Sequence, residues 1–264
     1  MKAPVTILAA TNVRSQAAIV LASLPLSYAP GARVEGGVAV VGGSADWPGV
    51  TARALDAGAV AVIVVHPEPA EIGAIRAGTA VVALDTRWAP NPVVASAATA
   101  FTTALPRGSR IECQVQLPVG SSLEAALLDQ LTLVRAVVGG VSDVRILTRS
   151  RHGYAAEGVA AGHPIDLSLV CTDAVPENAS VRLLTSDGSV VLNLPSGATA
   201  QPALLTVTGP DGALLAPTVY ESGHRATWRR VRSLLSTQLI TTDDLDNFAS
   251  DAATVRTAFL SLEG

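Results

Sequence analysis

The sequence predicts a shortened Rossmann-like parallel sheet (α/β) followed by an α+β domain, with an open, mostly antiparallel sheet flanked by helices. Two observations carry the prediction. Over the first hundred residues, continuous apolar runs alternate with helical stretches, the pattern of a parallel sheet buried on both faces. Beyond about residue 110, short strands follow one another with "SDG" and "PDG" turns between them, the mark of hairpins. A chain of 264 residues has room for both. The expected division is 1–107 and 108–264.

In the first part "VTILAA" reads as a buried strand and "VRSQAAIVLASL" as a helix, stopped at Pro25 and a "YAPGA" turn. "VEGGVAVVGG" follows as the second strand, and "DWPGVTARALDAG" as a helix with Gly58 at its C-terminal cap. "AVAVIVV" is the third strand, "PAEIGAIRAG" a capped helix, "TAVVALD" the fourth strand, and "NPVVASAATAFTTAL" a closing helix. In the second part "RIECQVQLPVG" is a strand, and "SSLEAALLDQLTLVRAVVGG" a long amphipathic helix with a serine cap and a glycine stop. Seven strands come next, from "DVRILTRSR" to "ALLAPTVYE", then helices "ATWRRVRSLL" and "DDLDNFASDAATVRTAFLSL", the last capped by the Thr-Asp residues at 241–244.

Composition narrows the function. The chain is 49% hydrophobic and 15% charged with a net charge of −4, and it has no basic run. Neither nucleic acid nor an anionic membrane is an expected partner. The start is too polar for a signal peptide, and "GAVAVIVV" is too short to span a bilayer, so the protein is expected in the cytoplasm. Cys113 and Cys171 are far apart and form neither a metal-binding nor a redox pair. No metal site is expected. Lys2 is the only lysine, so no reaction in the body of the fold can use one.

Three stretches carry a family resemblance. "HPEPAEIGAIRAGTAVVALDTRWAPNP" resembles a strand-end proline, helix, glycine and strand leading to a Glu-Lys-Pro turn. "LLDQLTLVRAVVGG" resembles a helix that carries a catalytic histidine, and "YESGHRATWRRVRSLL" with "TTDDLDNF" resembles the matching C-terminal layout. Together they are similar to the Gfo/Idh/MocA oxidoreductases, the relatives of glucose–fructose oxidoreductase and inositol dehydrogenase. The resemblance implies a dinucleotide fold and an open sheet that joins subunits.

The departures from that family are as informative. Its G-x-G-x-x-G turn aligns with Ala9, Thr11 and Arg14, where glycine would let a pyrophosphate approach the helix N-terminus. The acidic residue that would hold the ribose is replaced by a late Asp46, and one helix–strand step is expected to be missing between the second strand and "AVAVIVV". The Glu-Lys-Pro turn reads Asp85-Thr86-Arg87, and Asp129 stands where the catalytic histidine would be. Of the four histidines, His66 ends a buried strand beside the family's cleft and is the best titratable candidate. His224 is placed near the sheet–helix junction, and His152 and His163 near turns.

With the phosphate glycines, ribose acid, lysine and histidine all replaced, the favoured reading is a non-catalytic or accessory subunit. No cofactor is then expected. It would form a homo-oligomer, or a hetero-oligomer with an active paralogue, through the antiparallel sheet, whose strands alternate weakly and carry apolar residues on both faces. The alternative is an enzyme: an NAD(P)-dependent oxidoreductase with an atypical cofactor site, or a cofactor-free acid–base catalyst. Its catalytic groups would be His66, Asp85 and Asp129. A histidine flanked by those carboxylates is expected to titrate above its ordinary value.

Overall fold

The structure is a computed structural model and describes residues 4–199, 201–237 and 243–261. The chain forms two compact units, one of residues 1–87 and 223–250, the other of residues 88–222 and 251–264. Neither is a contiguous half: the segment 223–250 belongs with the first unit, and the helix after Arg87 belongs with the second.

The first unit is built on five parallel strands, β1 (Val5–Ala9), β2 (Tyr28–Pro30), β3 (Val38–Gly42), β4 (Ala61–Val65) and β5 (Val81–Asp85), in the order β2-β1-β3-β4-β5. β4 and β5 are buried at every residue, as their unbroken apolar sequence predicts for a sheet covered on both faces. Helices α1 (Arg14–Ser23) and α2 (Trp47–Asp56) follow β1 and β3. α2 ends at Gly58, whose φ of 87° suits the C-terminal position assigned to it. Helix α5 (Gly223–Thr237) brings Trp228 and Val231 into the core formed by Ile7, Val38, Val40, Ile63 and Ala83. The Tyr28 hydroxyl donates to the Trp228 carbonyl at 2.6 Å, and the two rings meet edge to face at 5.5 Å.

Two expectations for this unit need correction. "YAPGA" contains a strand: Tyr28–Pro30 pairs parallel with β1, and its final proline falls at the outer edge of the sheet, where a missing N–H costs nothing. The strand read as second, β3, therefore lies on the other side of β1, and the missing helix–strand step falls between β2 and β3, in residues 31–37. The order is that of a classical dinucleotide sheet lacking its third strand. Second, "PAEIGAIRAG" is not a helix but a pair of turns closed by Ile75 N–H to Ile72 O and Ala80 N–H to Ala77 O. Of residues 69–78 only Ile75 is buried, so no packed apolar face offsets the cost of nucleating a helix.

The second unit holds α3 (Pro92–Ala104), β6 (Gly108–Leu117), α4 (Leu123–Val138) and strands β7 (Val141–Ser150), β8 (Gly153–Ala160), β9 (His163–Cys171), β10 (Asn178–Thr185), β11 (Ser189–Pro195), β12 (Leu204–Gly209) and β13 (Gly212–Leu215). The eight strands run β13-β12-β11-β10-β6-β9-β8-β7, antiparallel throughout except for the β6–β9 pair. Asn91 and Ser122 cap α3 and α4 by accepting from the N–H groups of Val93 and Ala125. Burial alternates along β9 and β11 and through most of β10, and is irregular along β7 and β8. Val191 and Leu184 are apolar yet only half-buried, while their neighbours on the helix side are fully buried. The last helix, α6 (Asp243–Leu260), begins where described residues resume, so the expected Thr241 and Thr242 cap lies outside them.

Candidate active site

In a parallel sheet the carboxyl ends of the strands point ligand-binding loops to one side. Both strand-end candidates from the sequence, His66 and Asp85, are at that end of the first unit. Asp85 is the last residue of β5, and His66 follows directly on β4. The His66 N–H donates to the Asp85 carbonyl at 3.0 Å, which carries the β4–β5 ladder one residue further. His66 has φ 50°, a left-handed conformation that a histidine adopts only when its surroundings hold it there. Gly43 is part of that hold. Its N–H donates to Val65 O at 2.8 Å, and a Cβ at this position would stand 2.1 Å from the His66 carbonyl oxygen.

The Asp85 side chain is 2% exposed, and its Oδ2 lies 3.0 Å from Nδ1 of His224, in the first turn of α5. The contact has ion-pair length but is out of line for a straight hydrogen bond. The other carboxylate oxygen, Oδ1, is buried with no hydrogen-bond partner, and so is Nε2 of His66. The two imidazoles are 4.9 Å apart between ring centres and tilted by 53°. Three ionisable side chains therefore meet inside one unit, and two of their buried atoms have unmet hydrogen-bonding capacity.

The electrostatics run against one expectation. His66 is not raised but pushed down from 6.5 to about 4: burial acts most strongly, the charges of Arg87 and His224 add to it, and Asp85 only partly opposes them. Desolvation of an imidazolium outweighs one nearby carboxylate. Asp129, the third candidate, is half-buried on α4, in the second unit. The polar residue α4 buries is its neighbour Gln130, which donates to Cys113 O at 3.1 Å and Ser168 O at 2.9 Å and accepts from the Tyr154 hydroxyl. His224 was not singled out from the sequence. Its signal is a histidine at the start of a helix returning to the parallel sheet, legible only once that return is known.

The first turn joins a strand to a helix at the position expected for a phosphate site. Ala9 ends β1, and a 3-10 turn of Thr11–Val13 leads into α1. No side chain caps either segment, and neither has an acidic residue in its first turn. Thr11 and Arg14 are exposed. A strand-to-helix turn with no side-chain cap, no acidic residue in its first turn and an arginine beside it suits an anionic group. Asp46 belongs to a different place: it precedes α2 and pairs with Arg53 at 3.2 Å. The residues after β2, where a ribose acid would stand, are Gly31, Ala32 and Arg33.

Among the described residues, no group of three His, Cys, Asp or Glu side chains could hold a metal ion. Cys113 and Cys171 are free, buried thiols, and burial pushes Cys113 up to about 12. His152 sits in the turn after β7, where Arg151 donates to its Nε2 at 2.9 Å, and His163 opens β9. No described helix is long and apolar enough to cross a membrane.

No family model matches the sequence, and no curated protein matches it either. Solved structures do. KijD10, a 3-ketoreductase from Actinomadura kijaniata in complex with TDP-benzene and NADP, superposes in its open conformation with a TM-score of 0.72 at 12% identity, covering 97% of this chain and 96% of its own. The dehydrogenase MviM from Clostridium difficile gives 0.63 at 7% identity, covering 94% and 88%. The likeness shows the fold, a parallel sheet followed by a mostly antiparallel one, shared with these proteins along nearly the whole chain. This corrects the expectation that there is no cofactor. KijD10, which matches this fold along nearly its whole length, is solved with NADP, so the fold is compatible with a dinucleotide.

Proposed function

We propose that the protein is an NAD(P)-dependent oxidoreductase with an atypical cofactor site, working on a carbonyl or alcohol at the carboxyl ends of β4 and β5. The observation that carries this reading is the buried Asp85 carboxylate with its unmatched Oδ1, set against His224 and close to His66. A buried ionisable cluster with unmet hydrogen bonds at the ligand-binding end of a parallel sheet marks a functional site. The first turn and Arg14 would hold the dinucleotide's phosphates, replacing close backbone approach with a charged side chain. When bound, the nicotinamide supplies the acceptor or donor of hydride. Asp85 sets a negative charge 3.0 Å from the His224 imidazole, and burial excludes water from the carboxylate. His66, neutral at ordinary pH, offers a hydrogen bond rather than a charge.

The test is titration of the purified protein with NADPH, followed by turnover on a panel of ketones. Saturable binding with a Kd near 10 μM or tighter, about −7 kcal/mol, together with NADPH oxidation, supports the reading. Absence of both leaves the accessory subunit, the reading favoured by the replaced motifs.

Self-association through the antiparallel sheet belongs to the same proposal. Val159 and Val170 are exposed on β8 and β9, and Leu214 and Leu215 on the edge strand β13. Light scattering of the isolated chain separates a homo-oligomer from the 26.8 kDa monomer, which would leave only pairing with a paralogue.

A further inference from the structure

We propose that His224, oriented by Asp85, is the group that takes and returns the substrate proton at this site. The inference rests on the oxidoreductase reading and assigns the work that a lysine does in the family the sequence resembles. No lysine in the body of this chain can do it.

The geometry orders the pair. The carboxylate is 2% exposed and the imidazole 27%, so the ring is the member that an incoming ligand can reach. A buried carboxylate 3.0 Å from Nδ1 draws a proton toward that nitrogen by charge and stabilises the imidazolium, without a straight hydrogen bond between them. In the direction of alcohol oxidation the O–H bond breaks, its proton passes to the imidazole and its electron pair forms the C=O bond, while the C–H bond breaks and the hydride would go to a bound nicotinamide. The product is an imidazolium beside a carboxylate. In the reverse direction the imidazolium gives that proton to the oxygen.

The neighbours favour one proton carrier rather than two. His66 stays neutral because burial, Arg87 and His224 all oppose its protonation. Two imidazolium rings with centres 4.9 Å apart would repel, so the proton goes to the ring that faces the carboxylate. The unmatched Asp85 Oδ1 and His66 Nε2 are the remaining polar atoms that a ligand could satisfy.

The test uses the full chain labelled with 15N. Long-range proton–nitrogen spectra, assigned with His224→Gln, read the tautomer of His224. Diethyl pyrocarbonate reads its reactivity, with the exposed His152 as internal reference. The expected result is an Nδ1–H tautomer that Asp85→Asn abolishes and Asp85→Glu preserves. Carbethoxylation of His224 should slow about tenfold in Asp85→Asn, and in wild type when NADP+ is added. With a reducible ketone, His224→Gln should lower kcat about 100-fold or more while NADPH affinity stays within about twofold. A tautomer indifferent to Asp85, an unreactive ring, or an unchanged kcat overturns the assignment. Absence of NADPH binding with the tautomer and reactivity as expected overturns the oxidoreductase reading alone.

Discussion

His224 and Asp85 meet at 3.0 Å inside the first unit although they come from distant parts of the chain, one opening α5 and the other closing β5. The carboxylate is held out of water with one oxygen unmatched, an arrangement that costs stability. Replacing it with an amide of the same shape removes a buried charge. Asp85→Asn is therefore expected to melt no lower than wild type and to lose turnover, an exchange of function for stability. Thermal denaturation and NADPH oxidation, measured on the same preparation, check both halves.

Acid should destabilise the protein through His66. Its folded-state value of about 4 lies below the unfolded 6.5, so the unfolded chain takes up this proton first. Stability from this group is full above about 6.5, falls as pH drops from there to about 4, and is level below that. The loss is on the order of 3 kcal/mol. Denaturant melts between these pH values should show the slope in wild type and a shallower one in His66→Gln.

Gly43→Ala tests the hold on His66 directly. The added methyl would lie 2.1 Å from the His66 carbonyl oxygen and 2.4 Å from Pro67 Cα, so backbone must move. A loss of about 2–3 kcal/mol is expected, with a displaced His66 ring signal in the NMR spectrum.

Arg14→Ala should weaken NADPH binding about tenfold, the value of one charge-assisted hydrogen bond to phosphate. Raised salt should weaken wild type more than the variant. Arg53→Ala, which removes a partner of the exposed Asp46, should leave affinity unchanged.

Gln130→Leu should cost about 2–4 kcal/mol, because it strands the Cys113 and Ser168 carbonyls and the Tyr154 hydroxyl together. Urea denaturation at constant m-value measures it.

Residue pattern made the central strands and the two capped helices α3 and α4 legible, because unbroken apolar runs and Asn or Ser before a helix have few other physical uses. β2 was not legible, since three residues ending in proline look like a turn until β1 offers them a partner. The stretch at 69–78 misled in the opposite direction: spacing suggested a helix, and with only Ile75 buried no packed apolar face supports one. For the candidate site, a strand-end position in the sequence places His66 and Asp85 where the structure has them, at the carboxyl ends of β4 and β5. Asp129 rests on a register with the family's helix and lies on α4 beside the buried Gln130. His224 depends on long-range topology, which no local signal encodes.

The contact between Tyr28 and Trp228 spans 200 residues of sequence, and the core it seals otherwise draws on residues between Ile7 and Ala83 and on Val231. Translation adds roughly 5–20 residues per second, so a nascent amino-terminal sheet waits on the order of ten seconds for its covering helix. Throughout that interval one apolar face is open to chaperones and to other nascent chains. Assembly of the Asp85–His224 pair is thus tied to late synthesis, and a ribosome stalled before α5 would leave a sticky, inactive sheet for quality control to remove.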